Sequence, residues 1–351
     1  MKRVVAGVIA LVMAGPLWAP ARADSVADFY RGKTISMVVG YTAGGGYDLY
    51  ARALARHMGK HIPGNPGFVV NNMPGAGSLT AANYLYNVAP KDGTAIGTIG
   101  RGLAMEPLIG KSKVQFDATK FTWLGSGTNE ISVCAVSSKA PVKTWEEVLT
   151  TPVSVGGEGS GSDPDTFAIL MRNLFDAKLQ LVTGYPGGAE ITLAIERGEV
   201  DGRCGWSLSS IKATRPDWLK EKKLNLLLQM SLERSPELPD VPAVLEKAKD
   251  DRQRSILKLV FSRQLMGRPF LGPPAIPEDR KQALRAAFDA TMKDPDFLAD
   301  AEKIGLEVDP VGGAAIDKLL AELYATPKEV LEQARAAIVG EAQRTVPGAK
   351  H

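Results

Sequence analysis

Three glycine-rich stretches decide most of what this chain can fold into. They are Tyr41-Thr-Ala-Gly-Gly-Gly-Tyr-Asp48, Asn72-Met-Pro-Gly-Ala-Gly-Ser78 and Val155-Gly-Gly-Glu-Gly-Ser-Gly-Ser-Asp163. Each lies between a strand-like run and a helical pattern. Thr34-Ile-Ser-Met-Val-Val-Gly40 reads as a buried strand, and 48–62 as a helix with Leu49, Ala53, Leu54 and Met58 on one side. Gly67-Phe-Val-Val-Asn71 is a second strand, before a helix over 79–88. Thr94-Ala-Ile-Gly-Thr-Ile99 is a third, reached through the turn Lys91-Asp92-Gly93. Further strands are expected at 121–125, 130–137, 153–156, 180–184, 201–206 and 225–230. Helices are expected at 144–150, 164–176, 188–197, 208–220, 277–293, 295–304, 314–323 and 327–338, with a frayed end over 344–351. Asp163-Pro164 reads as a helix start, with Asp163 as N-cap and Pro164 at the first helical position. The alternation predicts an α/β chain with open parallel sheets covered on both faces.

At 351 residues the chain has material for two lobes with cores of their own. Its start is distinct. Lys2 and Arg3 precede the apolar run Val4–Gly15, and Ala21-Arg22-Ala23 places small residues at both specificity positions of a cleavage site. This is the pattern of a cleavable secretory leader over 1–23, with a mature chain from Asp24. Twelve apolar residues are too few for a bilayer span of about 20. No later segment reaches spanning length, so the mature chain is expected to be soluble and exported, with a periplasm as its location. The leader holds Lys2, Arg3 and Arg22, so 42 basic residues fall to 39, matching the 39 acidic ones. A neutral chain has no electrostatic footprint for nucleic acid or anionic lipid. Cys134 and Cys204 would meet an oxidising compartment, where they either pair or remain two separate buried thiols.

The loops are the expected chemistry. Glycine lets the backbone turn sharply and approach a ligand. The helix behind each loop starts with unpaired N–H groups and partial positive charge, an anion site that needs no lysine. In open α/β sheets such loops flank the crevice beyond the strand ends. Ordinary turn chemistry explains any one loop alone. Gly44-Gly45-Gly46-Tyr47-Asp48 is neither G-x-G-x-x-G nor a P-loop, so a dinucleotide or nucleotide cofactor is not expected. His57 and His61 are spaced i, i+4 without an H-E-x-x-H pattern and read as surface residues, not a metal site. There is no G-x-S-x-G elbow, and Cys204 has no histidine placed to activate it.

Individual side chains have two readings each. Arg101 either clamps a carboxylate or is a solvated loop residue. Tyr185 either offers a hydroxyl or wall to a ligand or is a turn tyrosine. Trp206 either walls the cleft or belongs to the core. Asp48 reads chiefly as an N-terminal cap, or as a group that meets an amino or hydroxyl substituent. The candidate site therefore comprises Tyr41, Thr42, Ala43, Gly44, Gly45, Asp48, Gly75, Ala76, Gly77, Ser78, Arg101, Ser160, Gly161, Ser162, Asp163, Tyr185 and Trp206.

Several of these motifs resemble the extracytoplasmic solute receptors of the tripartite tricarboxylate transporter family, the Bug or TctC-like receptors. The resemblance runs from about Tyr30 to Gly312. It rests on Val38-Val-Gly-Tyr-Thr-Ala-Gly-Gly-Gly-Tyr-Asp48 with Ala51-Arg52, and on Val70-Asn-Asn-Met-Pro-Gly-Ala-Gly77. Ala89-Pro-Lys-Asp-Gly93, Gly198-Glu-Val-Asp201 and Ser235-Pro-Glu-Leu-Pro-Asp-Val-Pro242 add to it. Thr42-Ala43 replaces the family's paired prolines, Tyr47 a frequent threonine and Met73 a common arginine, and Lys91 is inserted in the proline turn. The resemblance implies a type II periplasmic-binding-protein fold: two Rossmann-like lobes joined by a hinge, with a carboxylate held between them by loop amides and hydroxyls. Tyr41 to Gly45 and Gly75 to Ser78 match the first-lobe contacts; Ser160 to Asp163 and Tyr185 are looser second-lobe matches. The expected division is 24–125 for the first lobe, 126–230 for the second and 231–351 for a return to the first, with Gly125-Ser126-Gly127 at the crossover. The resemblance implies a receptor, not an enzyme, that delivers a small organic anion to membrane permease subunits. A ligand sensor for a membrane signalling protein and an enzyme using Cys204 or Asp48 are the alternatives.

Overall fold

The computed structural model describes residues 25–110, 112–340 and 344–346. The expected leader and its cleavage point lie outside them, as do 347–351. Among the described residues, twelve strands form two six-stranded sheets. The first contains β1 (Thr34–Val39), β2 (Gly67–Asn72), β3 (Ala95–Thr98), β4 (Thr122–Ser126), and two late strands described below. The second contains β5 (Ser132–Ser137), β6 (Val153–Gly156), β7 (Leu179–Thr183), β8 (Gly202–Ser207) and β9 (Leu224–Met230). The late strands are β10 (Pro269–Gly272) and β11 (Val311–Gly312) in the first sheet, and β12 (Arg344–Thr345) in the second.

The orders are β11-β4-β10-β3-β1-β2 and β12-β7-β6-β8-β5-β9. Both are mixed, where the repeating strand–helix pattern predicts parallel sheets throughout. β1 pairs in parallel with β2 and β3, and β6 with β7 and β8. β10 then inserts antiparallel between β3 and β4, and β5 antiparallel between β8 and β9. In each sheet the antiparallel strand is the one that follows directly on a passage from the other lobe: β10 enters the first sheet late, and β5 is the first strand of the second sheet in sequence.

Local chemistry sets the element ends. Helix Gly46–His57 buries Tyr50, Ala51, Ala53 and Leu54 and stops short of the expected Ile62. Met58–His61 tightens into a 3-10 turn. A β-carbon on Gly59 would lie 2.4 Å from the Pro66 carbonyl, so the backbones touch there. The expected helix over 208–220 is two helices, Leu208–Thr214 and Pro216–Lys220. Pro216 has no N–H and forces Arg215 out of helical geometry, to φ −144°. Helix Asp163–Phe175 has Ser162, not Asp163, at its N-cap. The expected frayed end includes β12, which pairs in parallel with β7 and is continued by the Val346 N–H bonding to the Thr183 carbonyl.

The chain passes between the sheets at 127–131 and 231–268, and the two passages bond to each other. Gly127 N–H donates to the Arg268 carbonyl, Gly267 N–H to Thr128 and Glu130 N–H to Gln264. A β-carbon on Gly267 would meet that of Glu130 at 2.4 Å, so glycine permits the contact. Later, helix Gly313–Tyr324 packs on β4, and helix Lys328–Ile338 packs on Asp163–Phe175 in the second lobe. Behind the cleft, one apolar cluster spans both lobes, with Phe167 and Phe261 rings 4.6 Å apart.

Cys134 on β5 and Cys204 on β8 are register partners, fully buried and joined by a disulfide.

Candidate functional site

The parallel strands of the two sheets end facing a common crevice, and the three glycine loops leave from those ends. Each loop is shaped by side chains of its own. In the first, the buried Asp48 carboxylate accepts Gly44 N–H, Arg52 Nε–H and Asn72 Nδ2–H, each at 2.9 Å. Burial pushes this carboxyl up, but the three donors outweigh it and it titrates below the ordinary aspartate range. Asp48 is the third residue of its helix and bonds backward; Gly45 is the N-cap.

Asp165 does the same for the third loop. Its carboxylate accepts Glu158 N–H at 2.6 Å, Gly159 N–H at 3.0 Å and Ser162 Oγ–H at 2.9 Å, and also bonds the Thr183 hydroxyl. Sequence reasoning missed Asp165; its only signal was a second acid two residues after Asp163. The second loop runs through the left-handed region at Ala76, Gly77 and Ser78, and the Ser78 hydroxyl accepts Gly100 N–H at 3.1 Å.

The lobes touch through these loops. Gly77 N–H donates to the Glu158 carbonyl at 3.0 Å, and Thr42 Oγ–H to Glu190 Oε2 at 2.8 Å. Arg101 is buried, so it is not a solvated loop residue. Its Nε donates to Asp163 Oδ2 at 2.6 Å, and Nη2 donates to the Ser132 hydroxyl. Arg263 approaches Asp163 from the returning passage at 3.4 Å. Several loop amides and the first candidate arginine are thus engaged by protein groups.

Between the lobes lies a cavity of about 170 Å³. Of the expected residues, Tyr41, Gly44, Gly45 and Trp206 line it. Thr42, Ala43, Asp48, Gly75–Ser78, Arg101, Ser160–Asp163 and Tyr185 lie outside its wall. Tyr185 packs instead in an apolar cluster with Val182 and Ile191. Trp206 lines the cavity and also packs edge-on against Trp218, at 6.0 Å, so its two readings coexist. The wall also contains Gly46, Tyr47, Glu158, Gly188, Ala189, Thr192, Leu193, Arg203, Ser207, Ser210, Thr214, Arg215 and Arg268, none of which the sequence singled out as ligand contacts.

Of the three arginines in this wall, Arg215 bonds Glu196 and is the most exposed; the other two are more deeply buried. Arg203, on β8, donates from Nη2 to Glu158 Oε1 at 2.7 Å. Arg268, just before β10, donates from Nη2 to the hydroxyls of Ser209 and Ser210, with Glu130 Oε2 at 3.1 Å. Its guanidinium carbon lies 4.8 Å from the Tyr47 ring centre and 5.2 Å from that of Tyr50. Among the described residues, the buried Nε atoms of both arginines have no partner. Burial pushes the Glu158 carboxyl up, against the pull of Arg203. Burial likewise pushes the Tyr41 and Tyr47 hydroxyls up, so both are protonated donors at neutral pH.

His57 and His61 bond the carboxylates of Asp300 and Asp294, at 3.0 and 2.8 Å. Among the described residues, no group of three or more His, Cys, Asp or Glu is placed to hold a metal ion. No helix of the described residues is long and apolar enough to cross a membrane.

Two mixed α/β lobes meeting over a cavity are the architecture expected of a type II periplasmic-binding-protein fold. The family model described as "Tripartite tricarboxylate transporter family receptor" matches residues 50–335, and the chain belongs to that family. A Cupriavidus necator protein described by its place in the gbd 5′ region is 26% identical over 322 residues, which are 90% of each chain. Among solved structures, the periplasmic binding protein BugD superposes with a TM-score of 0.68 at 21% identity, over 87% of this chain and 98% of that one. MatC from Rhodopseudomonas palustris, with bound malate, gives 0.66 at 21% identity, over 85% and 99%. A second R. palustris protein, with adipate, gives 0.67 at 20%, over 86% and 97%. The protein is a solute-binding receptor of the Bug/TctC type.

Proposed function

We propose that this receptor captures a small organic carboxylate (a di- or tricarboxylate, or an aromatic acid) in the periplasm and presents it to the permease subunits of a tripartite tricarboxylate-type transporter. The observation that carries the reading is the interlobe cavity, walled by arginines and by the starts of helices Gly46–His57 and Gly188–Glu196. Guanidinium N–H groups and helix starts both favour a negative guest. Malate and adipate in two structurally similar proteins support the same class. The paired passages at 127–130 and 264–268 serve as the hinge, and a ligand touching both lobes shifts the population toward closure. We read the chain as a receptor and not an enzyme. Cys204, the candidate nucleophile, is bonded to Cys134, and Asp48 is held by three donors.

The test is a thermal-shift screen of di- and tricarboxylates, aromatic acids and amino acids on the mature protein. A ligand at 100 times its Kd adds about 2.7 kcal/mol, a visible rise in Tm. Silence toward every organic anion overturns the reading. A pull-down of permease subunits from membranes, with and without ligand, tests delivery against a signalling role.

A further inference from the structure

Of the residues that wall the interlobe cavity, Gly44 and Leu193 are exposed, and the others are buried or half-buried. The cavity therefore meets solvent between the first glycine loop and helix Gly188–Glu196, which belong to opposite lobes. The two segments press together there. The β-carbon position of Gly45 is 4.0 Å from the Ala189 nitrogen. A β-carbon on Gly187 would lie 2.6 Å from Thr42 Oγ1 and 3.3 Å from Glu190 Oε2, so glycine is what leaves room for that pair.

Thr42 stands two residues before Gly44, and Glu190 three before Leu193, on the same side of its helix. Their hydrogen bond, from Thr42 Oγ–H to Glu190 Oε2 at 2.8 Å, ties the two banks of the opening. Both ends are half-buried, so water reaches them and takes the place of the bond when it breaks. Deeper ties between the lobes differ in kind. The Arg101–Asp163 ion pair is buried at both ends, and parting it would leave charges unpaired away from water. Arg268 reaches the Ser209 hydroxyl in equally buried surroundings. The opening can part at Thr42 while these hold.

Glu190 also has a second place to go. It is the third residue of its helix, behind a Gly187 N-cap that has no side chain to bond the helix start. From that position a glutamate reaches back to the N-cap N–H. Its carboxylate thus has two satisfied arrangements, one across the opening and one back on its own helix.

We propose that Thr42 and Glu190 form a gate: solute enters and leaves the cavity between residues 42–45 and 188–193, and this one bond sets how often the passage opens while the deep junction stays closed. The inference rests on the receptor reading for the identity of the solute but not for the gate, which a neutral probe tests without any ligand.

Trp206 lines the cavity and is 2% exposed, and among the described tryptophans no other lines it. Acrylamide quenching of the mature, ligand-free protein, measured for each variant against its own Trp206→Phe counterpart, therefore reports entry. Thr42→Val should raise the rate constant for quenching Trp206 roughly 10-fold, the lower end of what a hydrogen bond to a charged group is worth. Glu190→Ala should raise it similarly, and the double variant no further, because both remove the same bond. Thr42→Ser keeps the hydroxyl and should match wild type. The radius of gyration in solution scattering should be the same throughout. Unchanged quenching in both Thr42→Val and Glu190→Ala overturns the gate. So does a rise accompanied by a larger radius of gyration, which would make the bond a tie of the whole junction. For any organic anion that binds, Thr42→Val should speed association and dissociation alike and leave Kd nearly unchanged. Faster dissociation alone would make Thr42 a ligand contact and overturn the gate. If quenching rises as expected but no organic anion binds the wild type, the gate stands and the receptor reading falls.

Discussion

Arg101 Nε lies 2.6 Å from Asp163 Oδ2, and the two buried side chains come from opposite lobes. Arg263 stands on the other carboxylate oxygen, so two buried cations share a single anion at the junction. Breaking a buried pair by removing one partner typically costs about 3–5 kcal/mol. Asp163→Asn should therefore lower the urea midpoint markedly and separate the lobes. An unchanged midpoint together with an unchanged radius of gyration in solution scattering would refute this.

Gly77 is another interlobe contact with no room to spare. A β-carbon there would lie 3.0 Å from the Ser160 carbonyl and 3.1 Å from that of Gly159, at φ +61°. Gly77→Ala combines that collision with a backbone penalty of roughly 1–2 kcal/mol. We expect weaker ligand binding, read by calorimetry, while the far-ultraviolet circular dichroism of the unliganded protein is kept. Wild-type affinity in the variant would show that closure does not need the contact.

The disulfide closes a sequence separation of 70 residues between two adjacent strands. On chain entropy alone such a loop is worth about 4 kcal/mol. Cys134→Ala/Cys204→Ala should lower stability by an amount of that order, measured by chemical denaturation, and leave the ligand preference intact. Loss of ligand binding in a folded double variant would place these sulfurs in the site after all.

Acid sensitivity should come from the face that carries the two histidines. Lys60, and after it His61, hold the Asp294 carboxyl below the ordinary aspartate range, against the opposing effect of burial. His57 and Arg56 do the same for Asp300. Because these folded-state values are depressed, the stabilisation is present above the unfolded value of about 3.9. It is lost as pH falls from there through the depressed values. Asp294→Asn keeps a good helix cap and removes the charge. Its urea midpoint should fall below wild type near neutral pH and converge with it toward about pH 2. Parallel curves at all pH values would exclude the charge as the cause.

How far the chain could be read before its structure depends on how local each feature is. β6 runs over Val153–Gly156 as expected, because Pro152 and Gly157 bracket a short β-rich run. β10 was illegible. It has four residues, begins with Pro269 and becomes a strand only by slotting between β3 and β4, far away in sequence. The loops were legible as anion-friendly turns, but the partners of their amides were not. Asp165 serves the third loop from inside the following helix, and Glu158 serves Gly77 from another lobe. Arg203 offered a faint signal, a charge within an otherwise apolar strand beside Cys204. Arg268 offered less, since its surroundings depend on Tyr47 and Tyr50 from one helix and Ser210 from another, both far away in sequence.

The short β12 strand has a bearing on handling the protein. Arg344 and Thr345 cover the rim of β7, which would otherwise present a row of unsatisfied amides and carbonyls to any neighbouring molecule. Trimming the chain after Gly340 would bare that rim, and the shortened protein should be prone to self-association and precipitation even where its ligand pocket is untouched.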